Sequence, residues 1–478
     1  MNIDNSWKAG SRISLRVGIV AICIGLILGI LAGFQPLVLC LAVAAVILVV
    51  CFFTYFEQTV LGLLILRSSL DIFSAQQVPA AFAIGLDGLT ILYVVLMLLL
   101  GRRIITDKFF WFFAAWVAIQ GFWPILTAIG GLELENAFLG DSIREWVRIF
   151  SWLMVYLIIS QLKGRLHPEQ IANTLFFALI IPLFAATLQL TLPPYLLPGF
   201  LQTISGSVFE AGSRINGTLG HPNTFTTFLI LFIGLTYWKV SQTKRPLFWY
   251  LLLIVETFFL VSTKALVGLP MLVVLLMALT VTRLNFKSFV GVVVLFGLFV
   301  AIFTSTEFGQ EKLATVFETP LLNPNITIND AILTSWYDGN SFNWRLAQWT
   351  FLLQEWKLAP FLGYGLGLTT YLGPIGAYAH NDYIRVLVEE GLIGLFFFLV
   401  FYVFQFIHLL KLFLSSTNSS KKRFCLVLIS LFFSALTGMI TENIWSHTTF
   451  FFYWWTLLSI ARWDWGEFSR GNSLHASY

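Results

Sequence analysis

Apolar residues recur along this chain in runs of about 20, the length at which an α-helix crosses the hydrocarbon core of a bilayer. The runs fall at about 15–34, 36–56, 58–71, 79–100, 109–129, 145–162, 171–192, 222–240, 246–262, 265–282, 287–304, 391–410, 424–440 and 447–461. The third is short and ends in Arg67 and Asp71, and the last is short as well. The pattern predicts an all-α polytopic membrane protein with about 12–14 transmembrane helices. Two segments interrupt it: 191–221, rich in Pro, Gly and Ser, and the long stretch 305–390. The chain therefore divides into an N-terminal transmembrane region 1–304, a large loop 305–390 and a C-terminal transmembrane region 391–478. Within the large loop Phe342, Leu346, Trp349, Leu353 and Trp356 recur at helical spacing, with Arg345 and Gln348 off that stripe. They predict an interfacial helix whose apolar face rests on the outer leaflet.

Composition agrees with lipid as the solvent. Hydrophobic residues make up 58% of the 478-residue chain and charged residues only 11%, against about 25% in soluble domains. The net charge of +4 says little about partners, and no basic cluster is dense enough to suggest nucleic acid, so no nucleic-acid partner is expected. Cys23, Cys40, Cys51 and Cys425 all lie in apolar runs, where thiols behave as small hydrophobes, so neither a disulfide nor a metal site is expected. The first run follows Lys8, Arg12 and Arg16 and lacks a small-residue cleavage site, which reads as a retained span rather than a signal peptide.

Charge sets the orientation. With the N-terminus inside, alternation places Lys8, Arg102, Arg103, Lys108, Lys163, Arg165, Lys239, Lys244, Arg245, Lys411, Lys421, Lys422, Arg423 and Arg462 on the cytoplasmic side. Both termini are then cytoplasmic, and 191–221 and 305–390 face outward. Omitting the weak third span would turn Arg102, Arg103 and Lys108 outward, so the charges support it.

The informative cations break that trend: Arg67, Arg144, Arg148, Arg214, Lys264, Lys312, Arg345, Lys357 and Arg385 lie outside or near the outer boundary. A cation near lipid has a partner or a ligand. Headgroup anchors and salt bridges account for single cations of this kind, and a gathering of them on one face points to an anionic substrate. The outer loops also carry His221, placed to cap the span that begins at Pro222, and His380, set among polar residues before a stretch in which Asp382, Arg385 and Glu389 would share a helical face. There is no Asp-x-Asp pair for a metal-dependent nucleotide-sugar enzyme and no phosphate-binding Gly-x-x-x-x-Gly-Lys loop. Only Asp87 and Glu256 lie mid-span, which gives an ion-coupled transporter little to work with.

The stretch from Arg214 to Asn223, followed by Asn343-Trp344-Arg345, Pro360-Phe361-Leu362-Gly363-Tyr364-Gly365-Leu366-Gly367, Ala379-His380-Asn381-Asp382-Tyr383 and Glu390-Gly391-Leu392-Ile393-Gly394, resembles the bacterial O-antigen ligase and O-antigen polymerase family of integral membrane glycosyltransferases. The resemblance covers roughly residues 140–445, and the N-terminal spans match only in hydropathy. Family members often carry Ser-Arg-Gly where this chain has Thr263-Lys264-Ala265, and lysine lacks the planar fork that grips phosphate at two points.

The resemblance implies glycosyl transfer on the outer face of the bacterial cytoplasmic (inner) membrane. The donor would be a polyprenyl-pyrophosphate-linked glycan and the acceptor a sugar hydroxyl, on lipid A core for a lipopolysaccharide ligase or on another lipid-linked glycan for a polymerase. A capsule or exopolysaccharide polymerase of the same family and a small-anion or glycolipid transporter remain alternatives. In the ligase reading His380 is the catalytic base. Arg214, Arg345, Arg148 and Lys264 hold the pyrophosphate, and His221, Asn223, Asn381, Asp382, Arg385 and Glu389 support them. The reaction would be direct and inverting, with no metal and no cofactor.

Overall fold

The computed structural model describes residues 36–132, 136–202, 214–281, 326–337 and 341–466, with the single residue 310. The expected spans at 15–34 and 287–304 lie outside these residues, as do 203–213 of the segment 191–221 and nearly all of 305–325 of the large loop. By its internal contacts the chain divides into residues 1–60 and 61–478.

In the first unit, α1 (Pro36–Thr54) is apolar throughout, and the Thr54 hydroxyl is satisfied by the carbonyl of Val50 one turn back. The helix α2 (Phe56–Arg67) begins there and runs into the second unit.

The second unit continues with α3 (Val78–Leu99), α4 (Lys108–Gln120), α5 (Phe122–Ala128), α6 (Leu139–Ser160), α7 (Pro168–Leu175), α8 (Ile180–Thr191), α9 (Pro222–Val240), α10 (Leu247–Ser262) and α11 (Gly268–Val281). It ends with α12 (Ile328–Tyr337), α13 (Ser341–Trp356), α14 (Asp382–Ser415), α15 (Ser419–Gly438) and α16 (Thr448–Ala461). Among the described residues there is no strand, and every apolar run that lies within them forms helix. Val78–Leu99, Lys108–Ala128, Pro168–Thr191 and Asp382–Ser415 are long and apolar enough to cross a membrane. Starts follow local chemistry: Asp107, Asn381 and Asn418 cap α4, α14 and α15 through side-chain oxygens, and His167 and His221 cap α7 and α9 through Nδ1. Proline occupies the first turn of α3, α7 and α9, where its missing N–H is not needed.

The core sits on α6, α9 and α16. From Thr449 to Ala461 every residue of α16 is buried, as it packs on α6, α7, α9 and α15. A helix apolar on all sides belongs inside a bundle. That explains its shortness: protein rather than lipid surrounds it. The run expected at 171–192 is two helices joined through a tight turn at Phe176–Leu179.

The large loop contains the expected helix, but its packed face differs. Trp344, Ala347, Gln348 and Leu352 are buried, whereas Phe342 is exposed and Leu346, Trp349, Leu353 and Trp356 are half-buried. The reason is protein on that side: α13 packs against α12 through Ala331, Ile332 and Ala347, and joins Tyr364, Ala379 and Val388 through Leu352.

The glycine-rich stretch has a structural role. Gly391 interrupts α14 with φ +67°, and the segment 360–365 fills the break. The amides of Leu392 and Ile393 donate to the carbonyls of Pro360 and Phe361, and those of Tyr364 and Gly365 donate to the carbonyls of Val388 and Glu389. A Cβ at Gly391 would lie 2.2 Å from the carbonyl of Phe361. Trp123 closes the insertion from α5, its indole N–H donating to the Leu362 carbonyl at 2.8 Å.

Candidate active site

Three chain segments converge on a carboxylate carried by a fourth. Glu442 lies in the connection between α15 and α16 and is buried. Its Oε1 is 2.9 Å from His380 Nδ1 and accepts the Asn443 amide at 3.1 Å. Its Oε2 accepts a short hydrogen bond from Asn223 Nδ2 and lies 3.7 Å from Arg345 Nη2. Asn223 is shared, since its Oδ1 accepts from Arg214 Nη2 at 3.2 Å. Arg214 Nε also donates to the Thr263 carbonyl at 3.1 Å. Burial opposes ionisation of Glu442, but His380, Arg345 and His447 outweigh it and hold its carboxyl well below the usual range. The carboxylate is therefore charged at neutral pH.

His380 is fixed from several sides. Its φ of +47° is a left-handed conformation that a non-glycine residue adopts only when its surroundings impose it. Asn381, next in the chain, caps α14. The Trp349 indole N–H donates to the Ala379 carbonyl at 2.6 Å, and the Trp344 ring stands edge-on to the imidazole at 5.2 Å. Nδ1 lies 2.9 Å from Glu442 Oε1, so once the ring gives up its positive charge the carboxylate favours the tautomer with the proton on Nδ1 and the lone pair on Nε2. The side chain is 20% exposed. An imidazole so oriented, with two arginines beside it, can take a proton from a hydroxyl while cations meet developing anionic charge.

A second network lies alongside. Arg385, fully buried, is 3.1 Å from Glu389 Oε1 and 3.1 Å from Glu145 Oε2, donates to Ser446 Oγ at 3.1 Å and faces the Tyr378 ring. Glu145 also pairs with Arg148 at 2.8 Å. Glu389 accepts the Gly367 amide at 2.8 Å and the Thr369 hydroxyl at 2.6 Å, tying the glycine-rich segment to α14. Asp382 accepts the Trp445 amide at 2.9 Å, and its own amide donates to the Met439 carbonyl. It thereby anchors the connection that carries Glu442.

The structure thus brings together Arg214, Asn223, Arg345 and His380, with His221 at the adjoining helix start. Asn381 and Asp382 hold the backbone around them. Arg148, Arg385 and Glu389 belong to the neighbouring ion-pair network. Lys264 is exposed on the turn between α10 and α11 with φ +51°, one residue after the carbonyl that holds Arg214. Glu442, Glu145 and His447, whose Nδ1 is 3.0 Å from Thr227 Oγ1, were not singled out from the sequence. The available signal for Glu442 was one acid between two apolar runs.

Residues 248–399 match the family model described as O-antigen ligase, which supports membership of that family. The matched segment contains Lys264, Arg345, His380, Asp382, Arg385 and Glu389, while Arg148, Arg214, Asn223 and Glu442 fall outside it. No curated protein matches the chain. The match supports a glycan-transferring role in surface polysaccharide synthesis, and with the apolar helices it indicates a multi-pass membrane protein.

Proposed function

We propose, with the O-antigen ligase match as premise, that this protein transfers a glycan from a polyprenyl-pyrophosphate donor to a sugar hydroxyl on the outer face of the cytoplasmic membrane. His380 Nε2 takes the proton of the acceptor hydroxyl. The acceptor oxygen attacks the anomeric carbon from the side opposite the diphosphate, forming one C–O bond as the other breaks. Configuration inverts, and polyprenyl pyrophosphate leaves with the bonding electron pair. Arg214 and Arg345 meet its charge, work that a divalent ion does in other transferases. Glu442 holds the imidazole in the tautomer the step needs and stabilises the imidazolium that results.

The observation that carries this reading is the His380–Glu442 pair, with Arg345 3.7 Å from the carboxylate and Arg214 joined to it through Asn223. In the test, purified protein in nanodiscs receives lipid-linked donor and acceptor with excess EDTA. Transfer is expected to proceed, and His380→Ala at equal protein level is expected to lower it by about 10²–10⁴. Transfer that stops in EDTA and returns with magnesium would overturn metal independence. Wild-type rates in His380→Ala would remove it as the base.

A further inference from the structure

The two oxygens of Glu442 face different neighbours. On the Oε2 side lie Arg345, at 3.7 Å, and Asn223 with, through it, Arg214. On the Oε1 side lies His380, and beyond it a short series of aromatic rings. The Trp344 ring stands 5.2 Å from the imidazole at 89°, and the Trp336 ring stands 5.4 Å from Trp344 at 78°. Trp344 is 6% exposed, whereas Trp336 is 41% exposed, so the series ends on an accessible indole. Each ring-to-ring step is close to the length of one pyranose.

The series is built into the scaffold. Trp336 lies on α12, which is fixed to α13 through Ala331, Ile332 and Ala347. Trp344 lies on α13, which is fixed to the residue before His380 by the Trp349–Ala379 hydrogen bond. Ledge and imidazole are therefore linked through α12 and α13. Arg345, 22% exposed, projects beside Trp344 with its guanidinium 6.0 Å from that ring. A pyranose has one face of C–H groups and an equatorial rim of hydroxyls, so an aromatic face with a few adjacent polar donors is the surface that suits it.

We propose that Trp336, backed by Trp344, is the stacking platform for the acceptor glycan, holding the sugar that precedes the one whose hydroxyl His380 deprotonates. The proposal rests on the transferase reading above and deepens it. The donor is drawn by its diphosphate to the arginines, and the aromatic ledge continues from the base, where the acceptor must be. An acceptor would then need two or more sugars for full affinity.

The probes are oligosaccharides of one, two and four sugars released by mild acid from the host cell's own surface glycan. Saturation-transfer NMR with full-length protein in nanodiscs reads their binding without donor, and transfer kinetics are measured with lipid-linked donor. Trp336→Ala is expected to raise the acceptor KM about tenfold for two or more sugars, the loss of one stacked ring. The one-sugar probe, kcat and the donor KM stay unchanged, and Trp336→Phe restores the affinity. In NMR the signal from the penultimate sugar disappears in Trp336→Ala and returns in Trp336→Phe. An acceptor KM within about twofold of wild type would overturn the platform and leave Trp336 as a headgroup anchor. A rise in the donor KM instead would assign the ledge to the donor glycan and also overturn it. Wild-type protein that neither binds nor elongates any fragment would sink the transferase reading itself, a result distinguishable from loss confined to the Trp336 variant.

Discussion

Glu442 gathers the site: it meets His380 and Arg345 directly and Arg214 through Asn223. Replacing it with Gln keeps the size but removes the charge that favours Nδ1–H on His380. Glu442→Gln is therefore expected to lower kcat by about 10²–10⁴ with little change in substrate KM. Its folded-state acidity also predicts a pH signature. A carboxyl held below its unfolded value, about 4.3, stabilises the fold above that pH and loses the contribution as pH falls through the lower folded value. The gap in thermal stability between wild type and Glu442→Gln should be full at pH 6 and should narrow at acid pH. A gap constant with pH would show that the carboxylate is not held ionised.

The arginines can be graded in the same way. Arg214 uses Nε and Nη2 together, so Arg214→Lys, which keeps charge and loses the fork, is expected to reduce transfer by at least about tenfold. Lys264 is exposed, and Lys264→Arg is expected to retain wild-type transfer. Radiolabelled glycan transfer at matched protein levels checks both. Arg214, Arg345 and His380 were legible in the sequence because they sit in recognisable surroundings of unusual composition. Glu442 was not, because a single acid between two apolar runs looks like any other outer-loop acid until folding places it against residues 219 positions away.

At the level of elements, hydropathy located the helices well, since burial in lipid or in a bundle needs the same apolar content. It started a span at 391, after Glu389 and Glu390, but could not show that helix continues on both sides of the break in α14, because charged residues there read as the end of a loop. Nor could it choose the packed face of α13, where aromatic residues occur on several sides and the partner helix decides. The break supplies its own prediction. Alanine at Gly391 would need a left-handed backbone and would press on the Phe361 carbonyl. Strain and overpacking together cost about 2–4 kcal/mol. Gly391→Ala is expected to lower the unfolding temperature and the amount of folded protein in membranes, measured by fluorescence-detected size exclusion, whereas Gly62→Ala, in open space within α2, should lower neither.

For the molecule as a whole, four helices carry the argument about sidedness. One end of each lies at the candidate site: α6 begins near Glu145, α9 at His221, α16 after His447, and α15 ends just before Glu442. Their other ends are basic, with Lys163 and Arg165 after α6, Lys239 and Lys244 around the end of α9, Lys421, Lys422 and Arg423 at the start of α15, and Arg462 after α16. Three of those ends, of α9, α15 and α16, are joined: Arg423 donates to the Ser241 carbonyl, Trp238 Nε1 to the Ser420 carbonyl at 3.3 Å, and Lys421 Nζ to the Trp463 carbonyl at 2.8 Å. Lys and Arg concentrate on the cytoplasmic side of membrane proteins, so the basic end is expected to face the cytoplasm and the site to face outward. Cysteines introduced singly at Tyr378, beside the site, and at Lys244, at the basic end, are expected to report this in intact cells. A membrane-impermeant maleimide should label the first before permeabilisation and the second only after it. Early labelling of Lys244→Cys with protection of Tyr378→Cys would invert the topology. That result would place the site in the cytoplasm, away from any glycan already carried to the outer leaflet, and the transferase mechanism would fall with it.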